Sequence, residues 1–208
     1  DGARLEADKA WSKELMVAAQ VPTALGQRFT DASSAKTYVE ACFDAGRGVV
    51  IKASGPALGK GVVVAHDKHE AIQAVDDFLV RGTAGSAGET IVIEERLAGF
   101  EFSLLTLVHE RGLWSLPVAQ DYKRVGEGDT GPNTGGMGTT SPVAEVGPDL
   151  VAVTEEKVVR PILTELGRRG ISYRGVLFSG LMVDGEDLRC LEYNVRFGDP
   201  ETQSDMRR

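Results

Sequence analysis

KASGPALGKGVVV, residues 52–64, decides how the first half of the chain folds, because a Gly-rich loop after a strand can lead into a helix or into a second strand. A phosphate-binding P-loop needs four residues between its first Gly and its Gly-Lys pair, followed by a Ser or Thr. Here only three residues separate Gly55 from Gly59, and Gly61 follows Lys60. Since a run of valines comes next, the sequence predicts a β-hairpin with a Gly-rich turn.

The residues of this hairpin leave two functions open. Its glycines would let backbone N–H groups approach phosphate oxygens closely, with positive charge added by Lys52 and Lys60. It could equally be an ordinary turn that carries two solvated lysines, since Gly-rich turns are common. On the loop alone, the ordinary turn is the simpler interpretation.

The composition argues against several classes of protein. The chain has 208 residues, of which 42% are hydrophobic, enough for one large domain or two small ones. Its net charge of −8 argues against a nucleic-acid-binding surface, which requires an excess of Lys and Arg. No apolar run is long enough to span a bilayer and no signal peptide opens the chain, so we expect no membrane partner. Cys42 and Cys190 lie in apolar segments, which predicts buried free thiols in a reducing cytoplasm.

Helical and strand patterns alternate irregularly along the chain. Asp8 is placed to cap a first helix, the Asp67-x-x-Glu70 capping box predicts another, and apolar residues at helical spacing predict a long helix over 148–169. Gly185 is placed at the turn of a β-hairpin between two apolar strands. Antiparallel strand pairs mixed with helices predict an α+β fold rather than a doubly wound parallel sheet.

Near the end of the sequence, CLEYNVRFGDPE (residues 190–201) carries a pattern suited to a metal and a phosphate. Glu192 and Asn194 are two residues apart on a predicted strand, so both side chains face the same way. Carboxylate and amide oxygens suit Mg²⁺, which also bridges substrate phosphates. Arg196 continues this face and could reach a phosphoryl group. The alternative is a surface strand with balanced charges, which three polar residues in register disfavour.

Two further segments are ambiguous by themselves. Glu94 and Glu95 close an apolar strand, where alternation turns them to opposite faces, and Glu101 follows a short loop. Paired acids of this kind also occur at simple strand edges. The Gly-rich segment 121–138 is either a linker or a loop that closes over a polar ligand. Its polar residues include Lys123, Arg124, Asp129 and Asn133.

Four segments together give the chain a family resemblance. They are KASGPALGKGVVVA, IVIEERLAGFEFS, AQDYKRVGEGDTGPNTGGMGTTSP and LEYNVRFGDPETQ, and they cover nearly the whole chain in the family's order. The chain resembles the ATP-grasp part of phosphoribosylamine–glycine ligase, also called glycinamide ribonucleotide synthetase. The resemblance implies an α+β ATP-grasp fold with ATP bound between two subdomains.

The resemblance also implies a division of the chain. We expect entry helices at 1–48, a small lid subdomain at 49–118 with a hinge near 94–98, and a large subdomain with the metal site at 119–208. The family's N- and C-terminal domains have no counterpart in these residues. Because the chain begins with Asp1 and ends in polar residues, we expect it to be part of a longer protein.

The reaction implied by the resemblance belongs to purine biosynthesis. The family joins glycine to 5-phosphoribosylamine through a glycyl phosphate intermediate, using ATP with Mg²⁺ or Mn²⁺ and releasing ADP and phosphate. The resemblance therefore implies a cytoplasmic carbon–nitrogen ligase. Monomeric and homodimeric states are both compatible with the sequence.

The family's site residues carry over to this chain by motif position. Lys52 and Arg196 match catalytic positions, and Arg196 would stabilise the transferring phosphoryl group. Glu192 and Asn194 match the metal ligands. Glu94 would accept a hydrogen bond from the adenine amino group, and the backbone of Glu95 and Leu97 would recognise the edge of the adenine ring. Glu101 would hold the ribose. The positions that match ATP contacts are Lys9, Lys52, Gly59, Lys60, Gly61, Glu94, Glu95, Leu97 and Glu101. The positions that match the glycine and phosphoribosylamine sites are Lys123, Asp129, Asn133, Asp199 and Glu201.

The chain departs from the family pattern in three places. Ser54-Gly55-Pro56 stands where the family usually has Asp-Gly-Leu, and the proline predicts a stiffer loop. Ser179 is expected at the place where many ATP-grasp enzymes carry a further acidic metal ligand. After DPETQ the family usually continues with an apolar stretch, where this chain has SDMRR.

Three functions follow from these patterns. The first is a ligase core that activates glycine, and the second is a nucleotide-binding module that is inactive without flanking domains. The third is an ATP-grasp ligase for another carboxylate–amine pair, which the 121–138 segment disfavours. Of these, the ligase core accounts for the largest number of segments.

Overall fold

Two units of mixed helix and strand make up the chain. The computed structural model describes residues 1–57, 61–128 and 130–207, without the side chains of Pro132 and Asn133. Helix α1 (Arg4–Ala7) opens the chain. The smaller unit comprises Glu6–Glu14 and Ala24–Leu97, and the larger unit comprises Asp1–Leu5, Leu15–Thr23 and Ala98–Arg208.

The smaller unit is built around four antiparallel strands. In chain order its elements are residues 9–14 of helix α2 (Lys9–Ala18), strand β1 (Gly26–Phe29), helix α3 (Ala32–Asp44), strands β2 (Val49–Ala53) and β3 (Val62–Val64), helix α4 (Lys68–Leu79), a 3₁₀ turn (Gly85–Gly88) and strand β4 (Ile91–Glu95). The sheet order is β1-β4-β2-β3. The pairing of β2 with β3 confirms the predicted hairpin around the Gly-rich loop.

One face of this sheet forms the core of the unit. Val49, Ile51 and Ala53 of β2, with Ile91 and Ile93 of β4, are buried together with the apolar residues of α3 and α4. Because side chains alternate along a strand, the even-numbered residues of β2 and β4 turn to the opposite face. That face carries Lys52 of β2 and Glu94 of β4.

Side-chain caps lie at the start of helices α2 and α4, as the sequence predicted. Asp8 Oδ1 accepts the Trp11 N–H at 3.0 Å, and Asp67 Oδ1 accepts the Glu70 N–H at 2.8 Å. Glu70 in turn accepts the His66 N–H at 2.8 Å. Each such cap satisfies backbone N–H groups that the helix itself leaves without a partner.

The larger unit contains one four-stranded antiparallel sheet and two short strand pairs. Its elements are strands β5 (Phe100–His109), β6 (Gly112–Ser115), β7 (Gln120–Asp121), β8 (Arg124–Gly126), β9 (Thr130–Asn133) and β10 (Thr139–Thr140), helix α5 (Pro148–Thr154), a π-helical turn (Glu155–Val159), helix α6 (Arg160–Arg168), strands β11 (Gly175–Asp184) and β12 (Asp187–Asn194), and helix α7 (Glu201–Asp205). The sheet order is β12-β11-β5-β6, and β7 pairs with β10 and β8 with β9.

The helical segment 148–168 and the β11–β12 hairpin form the core of the larger unit. Val158, Ile162 and Leu166 are fully buried. On β12, the hydroxyl of the buried Tyr193 donates to the Val158 carbonyl at 2.8 Å and so ties the sheet to the helix. The predicted long helix and the predicted turn at Gly185, which has φ of 58°, are both confirmed.

The division of the chain differs from the predicted one. The boundary was expected after residue 118, but β5 and β6 pair with β11 in the sheet of the larger unit, and the division falls at Leu97 and Ala98. Hydrogen-bonded strands share one core, which explains why 98–118 fold with the residues that follow. None of the helices in the described part of the chain has the length and apolar composition needed to cross a membrane.

Candidate active site

One face of the larger sheet lines a cavity of about 130 Å³. The β-ladders place Ser103, Gly180 and Glu192 side by side on three adjacent strands. Phe178 lies beside Asn194 two residues along, on the same face. The cavity is therefore walled by residues of β5, β11 and β12.

A β-bulge directs Glu192 into this cavity. Gly180 pairs with Glu192, but the next residue of β11, Leu181, pairs with Cys190, so Leu191 is the extra residue. Before the bulge the buried residues of β12 are Leu188 and Cys190, and after it the buried residue is Tyr193. The bulge thus changes which positions face the core, and it leaves Glu192 and Asn194 half-buried on the cavity side.

The expectation for Ser179 is wrong. Ser179 is fully buried and pairs with Leu104 on one side and Tyr193 on the other, on the sheet face away from the cavity. The neighbours of the two predicted metal ligands on β11 are instead Phe178 and Gly180. Strand alternation explains the error, since a residue one position off points to the opposite face.

The segment after β12 closes one end of the cavity with charged residues. Arg196 and Asp199 are exposed, and Glu201, at the start of α7, is only 3% exposed. The Ser103 hydroxyl approaches Glu201 Oε1 at 3.5 Å. A side chain at Gly198 would collide with Glu201 and Phe178, so this glycine permits the close turn.

Residues near both ends of the Gly-rich segment 121–138 lie against the same cavity. Asp121, Lys123 and Gly135 line it, and Lys123 Nζ lies 3.8 Å from Glu101 Oε2. Gly136 has φ of 129°, and a Cβ there would lie 2.9 Å from Asp121 Oδ1. The segment is therefore part of the site rather than a linker.

Asp121 is a carboxyl group of this cavity with a raised pKa. Burial raises its pKa to about 6, the charge of Lys123 opposes this shift, and the charges of Glu201, Glu101 and Asp199 add to it. Its Oδ1 is buried and has no hydrogen-bond partner among the described residues. A buried acceptor in such a position is suited to a donor supplied by a ligand.

The oxygen donors of Glu192 and Asn194 fit a hard divalent cation. Both line the cavity, and they offer one carboxylate and one amide oxygen, the ligand types that Mg²⁺ prefers. Among the described residues no three His, Cys, Asp or Glu side chains converge on a metal position. Such a cation would therefore take further oxygen ligands from substrate or water.

The smaller unit has its own buried charge cluster. Glu94 Oε2 lies 2.7 Å from Lys52 Nζ, and Glu94 Oε1 lies 2.7 Å from Lys13 Nζ. Burial by itself would raise the pKa of Glu94, but the charges of Lys52 and Lys13 and their hydrogen bonds hold it below its ordinary value. Glu94 is thus ionised at neutral pH although it is buried.

Lys9 lies beside the strand that carries Lys52. The Lys9 N–H donates to the Ser54 carbonyl at 2.8 Å, and its Nζ lies 3.4 Å from the Gly55 carbonyl. Ser54 takes part in the helix cap, because its hydroxyl donates to Asp8 Oδ1 and accepts the Ala10 N–H, both at 2.9 Å. The start of α2 is thereby fastened to the base of the Gly-rich loop.

Sequence comparison identifies the family to which these elements belong. The model of the phosphoribosylglycinamide synthetase ATP-grasp (A) domain matches residues 7–202. The chain is a member of this ATP-grasp domain family. The predicted α+β ATP-grasp fold is thereby confirmed, as is the family recognised from the four motifs.

Relatives of this ATP-grasp domain include phosphoribosylamine–glycine ligases. The ligase of Nostoc sp. is 48% identical over 203 residues, which are 97% of this chain and 47% of that protein. A bifunctional purine biosynthetic protein of Schizosaccharomyces pombe is 43% identical, over 97% of this chain and 25% of that protein. The crystal structure of phosphoribosylamine–glycine ligase from Thermotoga maritima matches with a TM-score of 0.86 and 37% identity, over 97% of this chain and 50% of that one. The chain thus spans about half the length of these ligases.

The structure of the ATP-grasp domain groups the predicted site residues into two sets. The residues that line the cavity of the larger unit are Glu101, Lys123, Glu192, Asn194, Arg196, Asp199 and Glu201. The smaller unit holds Lys9, Lys52, Gly61, Glu94, Glu95 and Leu97. The Glu95 N–H, expected near a purine edge, donates to the Leu25 carbonyl at 2.8 Å. Gly59, Lys60, Asp129 and the side chain of Asn133 lie outside the described residues.

Sequence reasoning missed two charged residues of the ATP-grasp domain, Lys13 and Asp121. Lys13 lies among the buried positions of α2. From the sequence alone, a lysine at this position is expected to be exposed to solvent. Asp121 is the first residue of the Gly-rich segment and stands two residues before Lys123, and that spacing was a usable signal.

Proposed function

We propose that this ATP-grasp domain is the catalytic core of a ligase that joins glycine to 5-phosphoribosylamine, with ATP and Mg²⁺ or Mn²⁺, through glycyl phosphate. The observation that carries the proposal is the cavity that Glu192, Asn194 and Arg196 line together with Asp121 and Glu201. The similarity to phosphoribosylamine–glycine ligases over 97% of the chain supports the choice of substrates.

The size of the cavity supports small polar occupants. At about 130 Å³ it is smaller than the roughly 300–1,000 Å³ of sites that enclose whole drug-sized ligands. Glycine, a phosphoryl group and a cation are of suitable size. Glu192 and Asn194 would hold the cation, which would neutralise the charge of the transferring phosphoryl group.

The residues of the cavity would act in two steps. In the first, a glycine carboxylate oxygen attacks the γ-phosphorus of ATP and ADP leaves, while the Arg196 guanidinium stabilises charge on the phosphoryl oxygens. In the second, the amine of 5-phosphoribosylamine attacks the glycyl carbonyl carbon, phosphate leaves, and the attacking nitrogen loses a proton to the departing phosphate. Asp121, Asp199, Glu201 and Lys123 would orient glycine and the amine, and Asp121 offers a buried acceptor to an ammonium or amine N–H.

The smaller unit would bind the nucleotide. Lys9 and Lys52 would contact its phosphates, with the hairpin at residues 55–61 as a lid and a hinge near 94–98. Glu94 would accept the adenine 6-amino group, and Glu101 of the larger unit would hold the ribose. Asp129 and Asn133 are assigned to substrate by motif position. The activity is placed in the cytoplasm, which the buried free thiols of Cys42 and Cys190 support.

Product formation tests this proposal. The 208-residue chain and a version extended to the length of the Nostoc relative are supplied with ATP, Mg²⁺, glycine and 5-phosphoribosylamine. We expect the extended protein to form glycinamide ribonucleotide and ADP, and the short chain to bind ATP with poor turnover, because it spans only 47% of that relative. An extended protein that is folded and binds ATP, yet forms product from a different amine or amino acid, contradicts the proposed substrates.

A further inference from the structure

Lys13 is a buried cation with no role in the reaction as proposed above. It is 7% exposed, and the Glu94 carboxylate that it contacts is 4% exposed. Burying a lysine is costly unless the charge is paired and hydrogen-bonded. Its position therefore depends on what it pairs with.

The partners of Lys13 fix its ammonium group in place. Its Nζ lies 2.7 Å from Glu94 Oε1 and donates to the Ala24 carbonyl at 3.0 Å. The carbonyl belongs to the segment that leads into β1, so the lysine connects helix α2 to the edge of the sheet. Gly26, opposite Glu94 in the β1–β4 ladder, leaves room for the carboxylate, since a Cβ there would lie 2.8 Å from Glu94 Cγ.

The two lysines contact different oxygens of Glu94. Lys52, on the same face of the adjacent strand, takes Oε2, while Lys13, from a helix, takes Oε1. These three described side chains carry two positive charges and one negative charge. If Lys52 turns toward a nucleotide phosphate, Glu94 keeps a counterion at its other oxygen. Each carboxylate oxygen also has a second lone pair for a hydrogen bond from a ligand.

We propose that Lys13 is a positioning residue that keeps the Glu94 carboxylate ionised and oriented to accept the 6-amino group of adenine. The inference rests on the proposed nucleotide role of Glu94. It makes Lys13 a determinant of preference for a 6-aminopurine, although Lys13 acts only through Glu94. A lysine with a purely structural role would affect all purine nucleotides equally.

The test is a calorimetric comparison of the binding of two nucleotides, both in the presence of Mg²⁺. The two nucleotides are ATP and purine riboside triphosphate, which lacks the 6-amino group. For the parent chain we expect ATP to bind about tenfold or more tightly than the analogue, the size of a hydrogen bond to a charged acceptor. Lys13→Met should lower the affinity for ATP by a similar factor and change the affinity for the analogue less than about threefold. Lys13→Arg should retain most of the preference.

Two further variants keep the inference open to contradiction if Lys13→Met folds poorly. Glu94→Ala alone and Glu94→Ala with Lys13→Met should bind ATP equally, because without the side chain of Glu94 Lys13 has no acceptor left to position. A further loss in the double variant would contradict the inference. Lys36→Met is the matched control, since Lys36 forms a 2.7 Å surface ion pair with Asp76 in the same unit, and it should leave both affinities unchanged.

The possible failures of this experiment are distinguishable. A folded parent chain that binds neither nucleotide contradicts the proposed function together with this inference. A parent that binds ATP and the analogue equally contradicts the adenine role of Glu94 and leaves ATP binding intact. Two outcomes contradict the inference about Lys13 alone. In the first, the parent prefers ATP and Lys13→Met leaves that preference unchanged. In the second, Lys13→Met lowers the affinities for both nucleotides equally.

Discussion

Gly180 lies directly opposite Glu192 in the β11–β12 ladder, and the register of the two strands shifts immediately beyond this pair. The absence of a side chain on Gly180 leaves space in front of the carboxylate, since an added Cβ would sit 3.4 Å from Glu192 Cγ, in ordinary contact. The metal-binding part of the proposed site therefore depends on a small residue at position 180, which is not itself a ligand.

Replacing Gly180 with valine should weaken metal binding in a chain that still folds. The added methyl groups would fill the cavity and displace the Glu192 carboxylate, and we expect a loss of about tenfold in affinity for Mn²⁺ in the presence of ATP. Water-proton relaxation measures this binding. Gly180→Ala is the control and should stay within about threefold of the parent, because a single Cβ fits. Equal affinities for the valine variant and the parent would contradict this account of the cavity.

Gly136 should be required for stability where its neighbour Gly135 is not. Gly136 has φ of 129°, and a Cβ there would meet Asp121 Oδ1 and the Pro200 ring, whereas a Cβ at Gly135 would meet nothing within 4 Å. Gly136→Ala should lower the free energy of unfolding by about 1–3 kcal/mol, the usual cost of a strained backbone position. Gly135→Ala should change it by less than about 0.5 kcal/mol. Urea unfolding measures the free energy of unfolding of both variants. Similar losses for the two would show that Gly136 is not held against Asp121.

The pH dependence of the free energy of unfolding should reveal the raised pKa of Asp121. Its pKa in the folded chain is about 6, above the ordinary value of 3.8, so the folded chain holds this proton more tightly than the unfolded chain does. The contribution of Asp121 to stability is therefore fully present below pH 3.8 and is lost as the pH rises through about 6.

Asp121→Asn removes this titration. Relative to the parent, the variant should become progressively more stable between about pH 4 and pH 7, as measured by urea unfolding at several pH values. Stability curves of variant and parent that run parallel across this range would show that Asp121 is not perturbed.

The sequence predicted the elements whose signals are local. The capping residues Asp8 and Asp67, the turn at Gly185 and the helix over 148–169 all depend on neighbours in the sequence, and all are confirmed. Strand β1, in contrast, was missed, because in GQRF only Phe29 is buried and no apolar alternation marks an edge strand.

The site was only partly predictable for a different physical reason. The motifs identified Glu192 and Asn194, since residues two apart share a strand face. The face of Ser179 could not be read in the same way, because GVLFSGLMVD is almost continuously apolar and shows no alternation. The bulge at Leu191 and the burial of Lys13 depend on contacts between residues distant in sequence, which no local pattern encodes.

The proposed site binds ATP through a cation that Glu192 and Asn194 would hold. Calorimetric titration of the folded chain with Mg·ATP measures this binding, with Glu192→Ala as the variant and Glu145→Ala, an exposed residue outside the cavity and the Gly-rich segment, as the control. We predict saturable binding by the parent and the control, and a loss of at least about 100-fold for Glu192→Ala, because loss of a direct ligand costs more than loss of an outer partner. A folded parent that binds no Mg·ATP, or a Glu192→Ala variant that binds it as the parent does, would contradict the claim.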